Sequence, residues 1–198
     1  MILVPMTVEA LIVNRFGNSR EYADIAVNYE LLNGVSLLGG VIEPQPFKKR
    51  AAPGAGVHLH FILPDGLTQG METENGFDYP AVPDRYLVTR LTIVKSTPDK
   101  PVITHKSWIL ESSYVGRDNV GSISIPEFSD KENLCRYLGR TYPYENTAPP
   151  GEYLSKLTVL GAGTPYFAAC YQTCRSVFGF HDDLKDVKEG ELIYTVAG

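Results

Sequence analysis

Two neighbouring segments constrain the fold of this chain more than any other feature, namely RYLVTRLTIV (85–94) and VITHKSWILESSYVG (102–116). Both are rich in the β-branched and aromatic residues that favour strands. The sequence STPDKP (96–101) between them is typical of a tight turn. We therefore predict that the two segments pair as a β-hairpin.

Other segments extend this β-rich pattern. TVEALIVN (7–14), VHLHFIL (57–63) and GELIYTVAG (190–198) each predict a strand, and residues 64–84 predict a long turn-rich loop. The 14 prolines and 18 glycines place turn signals along the whole chain, and the 12 tyrosines and 8 phenylalanines favour strands. We expect a mainly β (α+β) fold, an antiparallel β-sandwich or distorted barrel with two or three short helices.

Helix signals are few. Residues 129–139 open on a serine cap with a glutamate three residues later, and Gly139 is the expected stop. Residues 164–176 open on a threonine cap with proline at the first helical position. Residues 22–34 fit either a strand or a short helix, and we favour a strand.

The composition is that of an ordinary packed protein. The 198 residues fit a single β-rich domain, 1–198, with 43 % hydrophobic and 21 % charged residues. The net charge is −5 and the largest basic block is KKR (48–50), so nucleic acid is not an expected partner.

The cysteine content argues against a disulfide framework, because the chain has only three cysteines, an odd number. With neither a signal peptide nor an apolar run of the ~20 residues that a membrane span needs, we expect a bacterial cytoplasmic protein.

His58 and His60 are the candidate metal ligands. On a strand, residues i and i+2 share a face, so both imidazoles could bind one zinc ion. A third ligand is not evident, because His105 and His181 are isolated in the sequence and the histidine pattern of cupins is only half matched. This possibility corresponds to a metal-dependent enzyme.

The favoured alternative is that these histidines lie on the second face of a strand. Its first face would fill the protein interior with four apolar side chains, those of Val57, Leu59, Phe61 and Leu63. On this interpretation the chain has no metal site, and we assign it no catalytic residue and no cofactor.

Two further motifs are weaker. LTVLGAGTPYFAAC (157–170) is close to a dinucleotide fingerprint, with Asp182 as the acidic residue, but Tyr166 occupies the place of the third glycine. A glycine turn into a capped helix is the simpler explanation. Cys170 and Cys174 are spaced to share a helix face, and we interpret them as core residues because a zinc ribbon needs two such pairs.

Charged residues near the 64–84 loop predict an arginine–carboxylate clamp that holds this loop in place. Arg85 and Arg90 flank the strand after PAVPD, and Asp65 and Asp84 are the expected carboxylate partners. A separate alternative is a carbohydrate- or ligand-binding β module that uses Trp108 and the tyrosines as stacking surfaces.

Four stretches in order carry a resemblance: GVHLHFILPDGLTQG, YPAVPDRYLVTR, LTVLGAGTPYFAACYQTCRSVFGFHDDL and YTVAG. Over roughly residues 55–198 the chain resembles the N-terminal region of large bacterial proteins encoded in gene clusters of phage-tail-like contractile injection systems. That family has tryptophan at the place of Phe61, alanine near Gly66 and asparagine near Asp84. Its motifs carry no catalytic role that could be transferred to this chain.

The resemblance implies a non-enzymatic structural or interaction domain whose partners are other protein subunits of a larger assembly. The chain ends on an apolar strand, and in the family that strand continues into further sequence. We therefore expect this chain to be the N-terminal part of a longer protein, although a true terminus remains the alternative.

Overall fold

The computed structural model describes residues 6–13, 54–95, 100–116, 138–148, 150–159 and 176–198. Within these ranges the chain forms ten strands and one short helix. In chain order they are β1 Thr7–Val13, β2 Gly56–Ile62, α1 Asp65–Thr68, β3 Met71–Thr73, β4 Gly76–Asp78, β5 Arg85–Lys95, β6 Pro101–Val115, β7 Leu138–Pro143, β8 Glu152–Tyr153, β9 Gly179–Asp182 and β10 Glu191–Ala197.

The strands form three antiparallel sheets. The first has the order β1-β2-β9, the second has the order β10-β5-β6-β7, and β3 pairs with β4. Strand β6 is longer than its neighbours, and β8 pairs with its far end beyond a register shift between Glu111 and Val115. None of the described sheets closes into a barrel. The fold is mainly β, which confirms the predicted class.

A shared apolar core joins the first two sheets. The ring of Phe61 on β2 lies 5.0 Å from that of Tyr86 on β5, and Trp108 on β6 lies 4.8 Å from Phe180 on β9. Burial of each such side chain contributes about 1.5–3 kcal/mol to stability. The predicted core face of β2 is confirmed, since four side chains are buried, those of Val57, Leu59, Phe61 and Leu63.

The predicted hairpin is also confirmed. Strand β5 pairs with β6 antiparallel from Arg85↔Glu111 to Lys95↔Pro101. Alternation along β5 turns Tyr86 and Val88 into the core and leaves Leu87 on the outer face. The hairpin predicted from β-branched and aromatic content therefore also has the two-residue alternation of a strand with one face in the core.

Segment 64–84, which was predicted as a long turn-rich loop, has some secondary structure of its own. It contains the one-turn helix α1 and the β3–β4 hairpin. In the described part of the chain, no helix is long and apolar enough to cross a membrane.

Gly139 was wrongly predicted as a helix stop, because it lies in β7. Its φ of +80° is in the left-handed region, and a Cβ at this position would collide with the carbonyl oxygen of Ser176. Glycine thus marks a close approach of two backbones here. The predictions for residues 22–34, for 129–137 and for 164–175 lie outside the described residues.

We predict that Gly139→Ala destabilises the protein by about 2–4 kcal/mol, because the substitution adds backbone strain and a backbone clash. Gly76→Ala is the matched control, since Gly76 has a φ of +120° but open space around its Cβ position. Urea unfolding should show a clearly smaller loss for Gly76→Ala. Equal losses for the two variants would contradict the close approach at Gly139.

Candidate functional site

A row of three charged residues crosses the second sheet. Arg85 on β5 is directly opposite Glu111 on β6, and Glu111 is directly opposite Arg140 on β7. Directly opposed side chains on neighbouring strands lie on the same face and interact. The row, here called the Arg–Glu–Arg ladder, therefore follows from the strand register alone.

Both carboxylate oxygens of Glu111 accept hydrogen bonds. Its Oε2 accepts hydrogen bonds from Arg140 Nε at 2.6 Å and from the Tyr153 hydroxyl at 3.0 Å, and it lies 2.5 Å from Arg140 Nη2. Its Oε1 accepts from Arg85 Nη2 at 2.5 Å and from the Tyr142 hydroxyl at 3.2 Å. The two oxygens have about four lone pairs, so these donors saturate the carboxylate.

The ladder is buried at its centre and open at one end. The side chains of Glu111 and Arg140 are 1 % and 2 % exposed, whereas that of Arg85 is 61 % exposed. The Arg140 guanidinium also lies 4.2 Å from the centre of the Tyr114 ring, within the range of a cation–π contact. Only the Arg85 end of the ladder is accessible to a molecule from solution.

Burial and hydrogen bonding act on the pKa of Glu111 in opposite directions. Desolvation raises this pKa, but hydrogen bonds from Arg140, Tyr153 and Arg85 together lower it below its ordinary value. Burial, followed by the contact with Glu111, raises the pKa of Tyr142 and that of Tyr153. The ladder thus holds an ionised carboxylate and neutral phenols at neutral pH.

A second buried ionic cluster connects the two large sheets. Arg90 Nη1 on β5 donates to Asp182 Oδ2 on β9 at 2.6 Å, and the Tyr194 hydroxyl on β10 donates to the same oxygen at 2.9 Å. Arg90 Nη2 donates to Asp186 at 2.8 Å, and this bond is the main reason that the pKa of Asp186 falls to about 2. The Arg90 guanidinium also lies over the Trp108 ring.

The predicted partners of the two arginines were therefore wrong. Arg85 pairs with Glu111, and Arg90 pairs with Asp182 and Asp186, in place of Asp65 and Asp84. Sequence proximity to the 64–84 loop was misleading because strand pairing, not chain distance, decides which carboxylate each arginine meets. The side chain of Asp84 makes one long contact, with Ser113 Oγ at 3.4 Å.

His58 and His60 lie on β2 as the strand interpretation predicted. His58 is buried, and its ring stacks on that of His181 with centroids 4.0 Å apart and planes 5° apart. One ring nitrogen of His58 lies 2.7 Å from the carbonyl oxygen of Gly54. Burial lowers the pKa of His60, and the charge of Glu9 partly offsets this effect.

No group of three or more histidine, cysteine, aspartate or glutamate side chains that could hold a metal occurs among the residues for which the structure is described. The pairing of His58 with His60 on a metal stays a prediction, since Cys135, Cys170 and Cys174 lie outside those residues. The structure brings His58 together with His181, a contact that sequence spacing could not indicate.

Trp108 and Asp182 have structural partners. Trp108 is 9 % exposed and packs between Phe180 and the cations of Arg90 and Lys106, so it is not an open stacking platform. It does line a cleft of about 240 Å³ together with Tyr142 and His181, among other residues. Asp182, the expected ribose ligand of a dinucleotide site, binds Arg90 and Tyr194 on antiparallel strands.

Sequence reasoning missed Glu111 and Arg140. Glu111 interrupts the run WILESSY with a single charge, and a lone acid inside a strand that pairs on both sides needs a cation. Arg140 was hidden because Gly139 before it was interpreted as a helix stop. A β interpretation of LGRTYP would have made Arg140 a candidate partner of that acid.

No protein-family profile matches the sequence, and no curated protein or solved structure matches it significantly. The site is therefore interpreted from its geometry.

We predict that Glu111→Gln lowers the free energy of unfolding by about 3–5 kcal/mol at pH 7, because it leaves Arg140 buried without its counter-charge. The folded-state pKa of Glu111 lies below the ordinary 4.5, so its stabilisation is fully present above pH 4.5 and is lost as the pH falls through the folded-state value. The difference from wild type should therefore shrink towards pH 2.

Urea unfolding at pH 7, 4 and 2.5 measures this effect. Glu72→Gln is the control, since Glu72 is exposed on β3 and its substitution should change stability by less than about 0.5 kcal/mol. A Glu111→Gln variant as stable as wild type at pH 7 would show that the ladder is not the interaction that holds this sheet.

Proposed function

We propose that this chain is a non-enzymatic structural and interaction domain of a larger bacterial cytoplasmic protein, with other protein subunits of a phage-tail-like contractile particle as its partners. The observation that carries the proposal is the outer face of the second sheet. The sequence resemblance over residues 55–198 supplies the type of assembly.

Aliphatic side chains occupy part of this outer face, across three neighbouring strands. In the register, Ile193 of β10 is opposite Leu91, and Ile93 of β5 is opposite Ile103 of β6. Ile103 is 59 % exposed and Ile193 is 47 % exposed. We call this surface the aliphatic face, formed by Leu91, Ile93, Ile103 and Ile193. Contiguous exposed apolar surface of this kind is characteristic of protein–protein contacts.

The buried charges favour a structural role. Glu111 and Asp182 each accept hydrogen bonds from arginine and tyrosine side chains on other strands. A general base needs a lone pair that is free to take a proton from substrate. In both clusters the lone pairs are already used to join strands, which suits a domain that must hold its shape under load.

The proposal predicts that the tagged chain co-purifies with identified tube, sheath or baseplate subunits when expressed with a complete contractile-particle gene cluster. The double variant Ile103→Asp/Ile193→Asp should recover at least about tenfold less of these subunits, because it places charges in an apolar contact. Mass spectrometry of the purified complexes provides the measurement.

Phe77→Asp is the matched control, since Phe77 is 70 % exposed on β4, outside the second sheet. It replaces an exposed apolar side chain by a charge on a different sheet, and it should leave recovery nearly unchanged. Failure of the wild-type chain to associate with any subunit of such particles would refute the proposed function.

A further inference from the structure

A polar cavity of about 370 Å³ lies beside the open end of the Arg–Glu–Arg ladder. Its lining residues are Asp84, Arg85, Glu111, Ser113 and Tyr153. Pockets that bind small molecules have volumes of about 300–1,000 Å³, so this one has the size for a small metabolite. The cavity shares no lining residue with the aliphatic face, so ligand binding in it goes beyond the proposed assembly role.

Two of the lining residues have hydrogen-bonding capacity to offer. Arg85 uses Nη2 to bind Glu111, and a guanidinium carries five N–H donors in a planar fork that suits a carboxylate. Asp84 accepts one long contact from Ser113 Oγ, and its two carboxylate oxygens can accept about four hydrogen bonds. By contrast, the hydrogen-bond acceptor sites of Glu111 are all occupied, and its carboxylate holds the Arg85 guanidinium in position.

The charges around the cavity balance. The cavity is lined by the guanidinium of Arg85 and by the carboxylates of Asp84 and Glu111, and Arg140, which lies behind the lining, pairs with Glu111, so the four groups together have no net charge. No ion pair within 4.0 Å joins Asp84 to Arg85 in the described part of the chain. The carboxylate of Asp84 would repel a simple anion, and the guanidinium of Arg85 would repel a simple cation. A ligand with both charges, held apart, satisfies the two residues together.

We propose that this cavity binds a zwitterionic small molecule of the free α-amino acid class. The ligand carboxylate pairs with the Arg85 guanidinium, and the ligand ammonium pairs with the Asp84 carboxylate and the Ser113 hydroxyl. Tyr153, fixed by Glu111 and Arg140, forms a wall of the cavity. Charge-assisted bonds at both ends of the ligand give the selectivity for the zwitterion.

The test uses the intact chain and the twenty free L-amino acids, screened by thermal shift at about 10 mM, where even a millimolar Kd gives a signal. Isothermal titration calorimetry then compares the strongest hit with its N-acetyl form, which keeps the carboxylate alone, and with its amide, which keeps the ammonium alone. We expect the free amino acid to bind at least about tenfold more tightly than either blocked form.

Asp84→Asn provides a second readout that does not depend on stability. This variant should lose at least about tenfold in affinity for the free amino acid and should gain affinity for the N-acetyl form, because the repulsion of the carboxylate is removed. Asp78→Asn is the control, since Asp78 is exposed and bound to Lys156 outside the cavity. The proposal is overturned if no amino acid binds, if the blocked forms bind as well as the free one, or if Asp84→Asn leaves the preference unchanged.

Discussion

A single buried carboxylate ties together four strands of the second sheet. Glu111 on β6 accepts hydrogen bonds from Arg85 on β5, from Arg140 and Tyr142 on β7, and from Tyr153 on β8. Because removing a carboxylate from water costs several kcal/mol, the strands must bring these donors to it together. A register slip of one residue would turn Glu111 to the other face, away from all four side chains. The ladder therefore helps to specify one strand register.

Asp182 has the corresponding role between the two large sheets. It lies on β9 of the first sheet, and its donors Arg90 and Tyr194 lie on β5 and β10 of the second. Aromatic contacts across the same interface fill the core beside it, with Trp108 against Phe180. Apolar packing holds the sheets together, while the buried ion pair restricts how they are aligned.

The local elements could be predicted from the sequence, and their long-range pairing could not. The period of two residues identified β2 and correctly placed Leu59 and Phe61 in the core, while β-branched and aromatic residues identified β5 and β6. Which carboxylate each arginine meets depends on register between segments far apart in the chain. Glu111 and Arg140 are 29 positions apart, and Arg90 and Asp182 are 92 apart. No local pattern carries that information.

Gly139 shows why one local signal failed. Glycine at a left-handed position follows many helices, and here the same conformation serves a strand that passes close to Ser176. Segment 64–84 failed for a related reason, because its turn residues belong to α1 and to the β3–β4 hairpin as well as to loops. The stacking of His58 on His181 likewise required the pairing of β2 with β9.

The most direct test of the ladder's central role is the coupling energy between Glu111 and Arg140, measured with a double-mutant cycle of Glu111→Gln and Arg140→Met by urea unfolding at pH 7. If the ladder organises the sheet, the two substitutions together cost at least about 1.5 kcal/mol less than the sum of their separate costs. The same cycle for Glu111 with Arg85→Met should give below about 1 kcal/mol, since the Arg85 side chain is 61 % exposed. Additive costs for Glu111 and Arg140, within about 0.5 kcal/mol, would contradict the central role of the ladder.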